Sequence, residues 1–501
     1  MLRAQHRAQE ALKKVNLKRR GKASEKQFRR FPEWTSMLAL PQVVYFRSFC
    51  SLFWGLVFLA AVAIFIWQLV VIIDNYSSFQ YSVIRTLIFS NFSFPAVTAC
   101  DMNPYKRDLA YQNEEIKNLM ETFDYLVAKL YNNDSLVYNS TYEQIADEYS
   151  LSNYTSSMTL LAQMSTILTM TANTFNLTAA SAQYDDFIQG CSFNLQDCQS
   201  GDWTVFYSEN MGTCYTFNLA GDKNVSRVGP IYGLRLILKS NVSQYLPVTS
   251  MEGFKVYAHH QQEYPFPDIY GVDVMVGGSA NLGVTFTQVA RLSEPYSPCV
   301  HEDEKPDFYN YPLNYSTEGC MRSVYQADVV INCGCYDPTY LRPTNNTFSG
   351  SNDTLIDTNQ VVVCTTGDYS CILTQREKNY NANCTQPCYE STYSVDVSSS
   401  KWPSGSSTAI GTCENGDYGN QTCVDMYAEN GAFVQVYFEA QSYESVEEVL
   451  DYSFSSFLSD FGGTLGLWIG GSILVIIEVT LLVVQCTMAF CCPRSGRLIG
   501  Y

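Results

Sequence analysis

Two long hydrophobic runs fix the plan of this chain before any other feature does. The first covers Phe49 to Ile73 without a charge. It exceeds the roughly 20 apolar residues that cross a bilayer as a helix. It also lies too deep in the chain, and is too long, for a cleaved signal peptide. The second opens at Asp460 with DFGGTLGLWIGGSILVIIE and continues to Cys492. Gly462, Gly463, Gly466, Gly470 and Gly471 crowd its start, and Glu478 sets one carboxylate inside it. Glycines let backbones approach closely, or expose carbonyls where a helix breaks. A carboxylate within a membrane is costly and points to an ion pathway. The competing explanation is an inert anchor with a GxxxG-type packing face.

Charge orients the two runs. Residues 1–47 carry twelve bases against three acids, Glu10, Glu25 and Glu33. Beyond the second run only Arg494 and Arg497 are charged. The region between keeps 17 bases against 45 acids, a net charge near −28 within a chain of −18. Basic flanks at both ends predict cytosolic termini, so residues 74–460 lie outside a multi-pass plasma-membrane protein. The basic arm reads as a solvated run that meets this bias, not as a lipid or nucleic-acid site.

Cysteine usage agrees with an outside location. Of 18 cysteines, fourteen fall between Cys100 and Cys423. An even number on the oxidising side predicts a framework of up to seven disulfides. Zinc is the other reading of the C-G-C at 333–335, but no histidines cluster with it and no metal is expected. Cys50, Cys486, Cys491 and Cys492 sit in or beside the hydrophobic runs, and the last two are either palmitoylation sites or free thiols. Sequons at Asn133, Asn139, Asn153, Asn176, Asn224, Asn241, Asn314, Asn352 and Asn420 fit a glycosylated exterior. With no nucleophile elbow, HExxH or phosphate loop, no enzyme is expected.

Periodicity supplies the outline of the exterior. Asp74–Phe94 reads as a strand leaving the membrane, and Phe94–Lys106 as a buried strand with an Asn-Pro turn. Leu109–Gln183 is helical by spacing. Gly233–Ser240 and Gly253–His260 alternate as half-buried strands. EYPFPD (Glu263–Asp268) reads as a turn-rich acidic loop, and Val434–Tyr443 as a last strand feeding the second run.

Several motifs then occur in a fixed order: FPAVTACDMNP, GCSFNLQDC, TVFYSENMGTCYTFN, YAHHQQEYPFPD, YSTEGCMRS, CGC, CTQPCYESTYSV, SSSKWPS and LSDFGGTLGLWIGGSILVIIE. As an ordered set they resemble the degenerin/epithelial sodium channel family, which includes acid-sensing and peptide-gated members. The resemblance covers Thr35 to Glu478. It implies an α+β membrane protein with two transmembrane helices and a large, disulfide-rich, β-centred extracellular domain. That domain would be hand-like, with palm, finger, thumb, knuckle and β-ball. The expected divisions are a cytosolic arm (1–47), transmembrane helix 1 (48–73), the extracellular domain (74–457), a pore-lining transmembrane helix 2 (458–490) and a cytosolic tail (491–501).

The resemblance also implies roles for single residues. Gly470, Gly471 and Ser472 match the selectivity filter. Ser459 matches a gate position that must stay small, and Gly466 one tied to the blocker amiloride. Asp460, Gly463 and Glu478 complete the pore set. The implied disulfides are Cys100–Cys214, Cys191–Cys198, Cys299–Cys388, Cys320–Cys384, Cys333–Cys371 and Cys335–Cys364. A further family bridge is missing at both ends, where Val324 and Ala382 stand. Cys413–Cys423 would supply a seventh. Before the first run the family's His-Gly pair is replaced by Leu38 and Ala39, which bears on opening and on the inner pore. The implied assembly is a homotrimer, or a heterotrimer with related subunits, in a lipid bilayer, passing Na+ and needing no cofactor.

The trigger is less well marked. Acid-sensing members use extracellular histidines and close carboxylate pairs. Here His259, His260 and His301 are outside, and the pair on the strand reads as surface polar rather than as a sensor. An acidic, tyrosine-rich exterior suits a cationic amidated neuropeptide. A peptide is preferred over protons, and constitutive opening comes third. A membrane-anchored receptor without a pore is the reading from another class.

Overall fold

The computed structural model describes residues 30–31, 35, 49–90, 93–131, 139–149, 151, 156–172, 175, 177–343, 348–349, 355–356, 361–378, 380, 384–406 and 422–491. In chain order the elements begin with helix α1 (Phe49–Ser77) and strands β1 (Tyr81–Phe89) and β2 (Ala96–Asp101). Helices α2 (Glu114–Tyr131), α3 (Ser140–Glu148) and α4 (Ser157–Ala172) follow. Next come β3 (Ile188–Phe193), β4 (Trp203–Ser208), β5 (Gly212–Phe217), β6 (Leu234–Lys239) and β7 (Gly253–His259). The short helix α5 (Pro267–Tyr270) leads to β8 (Val272–Met275) and the long β9 (Gly278–Ala290). Helices α6 (Thr317–Cys333) and α7 (Tyr369–Arg376) precede β10 (Tyr389–Lys401). Helix α8 (Cys423–Asn430), β11 (Gly431–Phe438), β12 (Ser442–Leu450), α9 (Phe454–Ile469) and α10 (Ile473–Cys491) complete the series. The chain divides into two units, residues 1–82 with 449–501, and residues 83–448.

In the larger unit, β9 is the spine of an eight-stranded sheet. Strand β10 pairs with it antiparallel along its whole length, from Gly278 opposite Lys401 to Ala290 opposite Tyr389. That leaves one free edge for both β11 and β12. Strand β11 runs parallel to residues 278–284 and β12 to residues 287–290. Phe438 faces Val284 and Glu444 faces Thr287, so six steps on one side meet three on the other. The surplus is a bulge at 439–441, which splits the single strand expected over Val434–Tyr443 into two. Gly283 makes room for it: a side-chain carbon there would fall 2.1 Å from the Glu439 carboxylate. The second sheet has the order β4-β5-β2-β7-β8.

The two sheets bury one core. Phe94, Val97, Phe217, Leu234, Leu236, Phe254, Leu282, Val434 and Phe438 belong to it. The alternation of LRLILK is the reason β6 lies flat on this core, with Leu234, Leu236 and Leu238 inward. Within 109–183 lie helices α2, α3 and α4, as the spacing predicts, while residues 177–183 form a turn instead. Ile116, Leu119, Met120, Leu160, Met164 and Ile167 pack together and share a core with Val329 of α6 and Ile372 of α7. Helix α6 starts where Ser316 Oγ accepts from the Gly319 N–H at 3.1 Å. It ends at Gly334, which is left-handed at φ 76°. Gly334 is thus the C-cap that separates the two cysteines of C-G-C, and each half-cystine then reaches a different partner.

The smaller unit holds the hydrophobic helices. The Leu52–Ser77 stretch is long and apolar enough to cross a membrane, with mean hydropathy 2.9. Helix α1 runs on to Ser77, so Asp74 closes its last turn rather than opening a strand. The strand beyond is shorter than expected and begins at Tyr81. The second run departs further from expectation. It is two helices, α9 and α10, parted at residues 470–472.

Candidate functional site

The sequence of α9 gives it two different faces. Ser453 caps its start, accepting from the Ser456 N–H at 3.1 Å. Phe454, Phe457 and Phe461 recur at three- and four-residue spacing and form a stripe against α1. The Phe457 and Tyr76 rings lie 5.0 Å apart, and those of Phe461 and Phe65 6.4 Å apart. Further down, the Trp468 Nε1–H donates to Gln68 Oε1 at 2.6 Å. Ser459, Gly463 and Gly466, at i, i+4 and i+7, share another face and are exposed. A side-chain carbon built at Gly462 or Gly463 meets nothing within 4 Å.

Glycine chemistry ends α9. Gly470 is left-handed at φ 68°, and its N–H donates to the Gly466 carbonyl at 3.1 Å. The Gly471 N–H donates to the Leu465 carbonyl, also at 3.1 Å. A side-chain carbon at Gly471 would lie 3.0 Å from Leu465 Cγ, so the close turn uses both glycines. Helix α10 then resumes after Ser472, whose carbonyl accepts from the Val475 N–H at 2.9 Å.

The two carboxylates of this segment have partners. Asp460 accepts from the Tyr452 hydroxyl at 2.6 Å. Glu478 accepts from Thr35 Oγ1 at 3.1 Å, which brings Thr35, three positions before Leu38, to α10. Leu38 and Ala39 lie outside the described residues.

Among the described residues of the larger unit, six disulfides join Cys100–Cys214, Cys191–Cys198, Cys299–Cys388, Cys320–Cys384, Cys333–Cys371 and Cys335–Cys364. Cys423 is also disulfide-bonded, and Cys413 lies outside the described residues. Val324, where a cysteine is missing, is buried among Phe266, Tyr309, Tyr311 and Tyr315. Of the sequons, Asn224 and Asn241 are exposed, and Asn139 and Asn314 half-buried. Asn133, Asn153, Asn176, Asn352 and Asn420 lie outside the described residues.

The histidine pair is not the surface feature its sequence suggests. His259 is 1% exposed. Its Nε2 lies 2.8 Å from Thr98 Oγ1 and its Nδ1 2.9 Å from the His260 carbonyl oxygen. Burial pushes its pKa down to about 4. Alternation puts His259 on the outward face of β7, but that face is covered at its end. His260 is half-buried, and burial lowers its pKa as well. The EYPFPD segment is likewise more than a loop. Phe266 is buried against Tyr311 with ring centres 5.2 Å apart, and Pro267 starts α5.

Three carboxyls missed by the sequence reading are driven toward neutral pKa values by burial. Asp101 is raised to about 6, despite donors from Ser240 and Tyr245 at 2.5 and 2.9 Å. Glu209 is raised to about 7 by burial, against the opposing charge of Arg322. Glu263 is raised to about 7 by burial and then by Glu390. Two arginine knots were also missed. Arg322 bonds Asp268 at 2.7 Å and Glu318 at 2.5 Å while lying over Phe266, 4.6 Å from its ring centre. Arg376 holds the fully buried Asp337 at 2.9 Å. Their signal was the scarcity of bases in this region: 17 against 45 acids leaves each arginine a strong candidate for a specific partner.

The sequence pattern of the family described as "Amiloride-sensitive sodium channel" matches residues 31–482. Degenerin-like protein unc-105 of Caenorhabditis elegans is 36% identical over 328 residues, covering 64% of this chain and 36% of that protein. Degenerin del-1 of the same organism is 34% identical over 318 residues, covering 62% and 46%. Degenerin-like protein asic-2, also from Caenorhabditis elegans, is 29% identical over 498 residues, covering 94% and 88%. The chain thus spans between a third and a half of the first two relatives and most of the third. A solved proton-activated chloride channel aligns over 85% of this chain and 96% of its own at a TM-score of 0.29 and 5% identity, too slight a likeness to bear on the fold. The match over most of the chain defines the class, a membrane ion channel. The chain belongs to the amiloride-sensitive sodium channel family.

Proposed function

We propose that the chain is one subunit of a trimeric, sodium-selective, amiloride-sensitive channel of the plasma membrane, opened by an extracellular neuropeptide. In this reading both termini are cytosolic, residues 48–73 and 458–490 cross the membrane, and residues 74–457 are outside. The assembly is a homotrimer or a heterotrimer with related subunits. The observation that carries the reading is the break at Gly470, Gly471 and Ser472 between two helices of one hydrophobic run. Three such breaks around an axis offer backbone carbonyls and the Ser472 hydroxyl in place of a sodium ion's hydration shell. Glu478 and Asp460 add negative charge on either side, which concentrates cations. The exposed face of Ser459, Gly463 and Gly466 is free of side-chain bulk, as a closing gate and a blocker site both require.

Current recorded from cells expressing the chain alone tests this. Amidated peptides are expected to open a sodium current that amiloride blocks, and Ser459→Trp to hold the pore open. A chain proven to be at the surface, yet silent under peptides and acid and also as Ser459→Trp, refutes homomeric channel function and leaves the anchored-receptor reading. Proton gating is the second reading, supported by Asp101, Glu209 and Glu263, whose pKa values of about 6 to 7 lie where mild acidification acts. Steps from pH 7.4 to 5.5 without peptide separate the two.

A further inference from the structure

A cavity of about 800 Å³ opens between β7, β10 and the segment before α6. Its size falls within the ~300–1,000 Å³ typical of small-ligand sites. Its chemistry is one-sided. Glu263, Glu390 and Glu302 line it, and among the described residues no lysine or arginine does. One wall is a stack of rings: Tyr257 lies 5.1 Å from His259 and 5.8 Å from Tyr270, nearly parallel to both. Tyr393 adds a further ring to the lining.

The three carboxylates are not equivalent. Glu390 is paired with Arg291 at 2.8 Å, and Glu302 lies 3.6 Å from Lys305. Glu263 has no ion-pair partner among the described residues. It is faced by the Tyr257 hydroxyl and the His260 N–H, with Glu390 near enough to repel it. Burial and that repulsion raise its pKa to about 7. A carboxylate lining an open cavity, with no cationic side chain among the described residues of that lining and aromatic rings beside it, offers an external cation both opposite charge and a cation–π contact.

We infer that this cavity binds an organic cation bearing N–H donors, a guanidinium or primary ammonium group, with Glu263 as its counter-ion and the Tyr257–Tyr270 stack as its wall. Such a group matches the carboxylate by charge and hydrogen bonding and the rings by cation–π contact. Arginine side chains and free amines of peptides carry it. The inference gives ligand chemistry to the extracellular gating proposed above, and rests on that reading only for its effect on current.

Binding is therefore measured first, on purified full-length protein at pH 8, by titration with benzylguanidinium and with its neutral isostere benzylurea. Benzylguanidinium should bind and benzylurea should bind at least tenfold more weakly. Glu263→Gln should weaken benzylguanidinium at least tenfold while Glu263→Asp keeps most of the affinity. Tyr270→Leu, at the exposed lip, should weaken it about 3- to 10-fold, the range of a cation–π contact. Equal binding of the two probes, binding unchanged by Glu263→Gln, or no binding at millimolar concentration each overturns the inference. If Glu263→Gln does not fold, the isostere comparison and Tyr270→Leu decide it. A peptide-evoked current in a protein that fails these tests would leave the gating reading standing and remove only the cavity.

Discussion

Replacing Arg376 by Met should be among the most damaging single changes in the larger unit. Asp337 is 0% exposed and Arg376 only 25%. Arg376 Nη2 donates to Asp337 at 2.9 Å and to Thr339 Oγ1 at 2.8 Å. Its Nε donates to the Tyr325 hydroxyl, and its Nη1 to Thr166 Oγ1 on α4, both at 3.2 Å. Met fills the space but strands a buried carboxylate, a loss of about 3–5 kcal/mol. That is a large part of the 5–15 kcal/mol typical of a folded domain. The pH signature follows from the carboxyl. Burial works to raise the Asp337 pKa, but Arg376 and the hydroxyls of Thr339 and Tyr325 outweigh it and hold it below the ordinary value. In the native chain this stabilisation is present above the unfolded pKa of ~3.9 and is lost as pH falls through the lower folded value. In Arg376→Met the carboxyl rises instead, so the penalty should be greatest at pH 8 and shrink toward pH 5. Adding Asp337→Asn removes the stranded charge and should restore at least half of the loss. Thermal unfolding of the detergent-solubilised full-length protein, with proteolysis across residues 317–376, reads all three effects. A variant within 1 kcal/mol of the native chain at pH 7.5, or an unrelieved double variant, refutes the reasoning.

Other expectations follow from the same geometry. Asp101 binds its proton more tightly folded than unfolded, so its contribution is full below pH ~4 and lost as pH rises through about 6. Asp101→Asn should flatten that part of the unfolding-temperature profile; an unchanged slope between pH 4 and 7 counts against the assignment. Gly470→Val puts a β-branched residue at φ 68°, at a cost of roughly 1–2 kcal/mol, and should reach the surface with conductance lost. Single-channel recording showing native conductance would contradict that. Thr35→Val and Glu478→Gln should alter ion selectivity through one shared hydrogen bond. The double variant should therefore resemble Glu478→Gln alone in bi-ionic reversal potential, and additive shifts would exclude the link.

How much of this was legible beforehand depended on how local the signal was. The glycines of 462–471 allowed either close packing or a break, and a single helix over 458–490 was expected; α9 runs through Gly462, Gly463 and Gly466 and ends only at Gly470, where φ turns positive. The strands of 234–239 and 253–259 followed from alternation, and the helices of 114–172 from spacing. The bulge at 439–441 did not show, because it arises from Glu439 folding over Gly283, more than 150 positions away in sequence. His259 looked solvent-facing because alternation reports a face, not what covers it. The same applies to Glu263, whose raised pKa comes from burial and then from Glu390 of β10. Thr35 marked only the start of the resemblance and Glu478 a place in the pore set, and only the fold joins them.

Splitting the second hydrophobic run also splits its macrodipole. One continuous helix would present a single axial field with its ends at the membrane faces. Two helices place the carbonyl end of α9 and the amide end of α10 at residues 470–472, each equivalent to about half an elementary charge and of opposite sign. In the pore proposed above, an ion at that level would meet a negative end from α9 and a positive end from α10. The positive end would repel a cation moving inward, and Glu478, five residues into α10, supplies charge of the sign needed to offset it. The carboxylate and the glycine break are then two parts of one electrostatic arrangement, and neutralising Glu478 should raise the barrier on the inner side of the break rather than at the break itself.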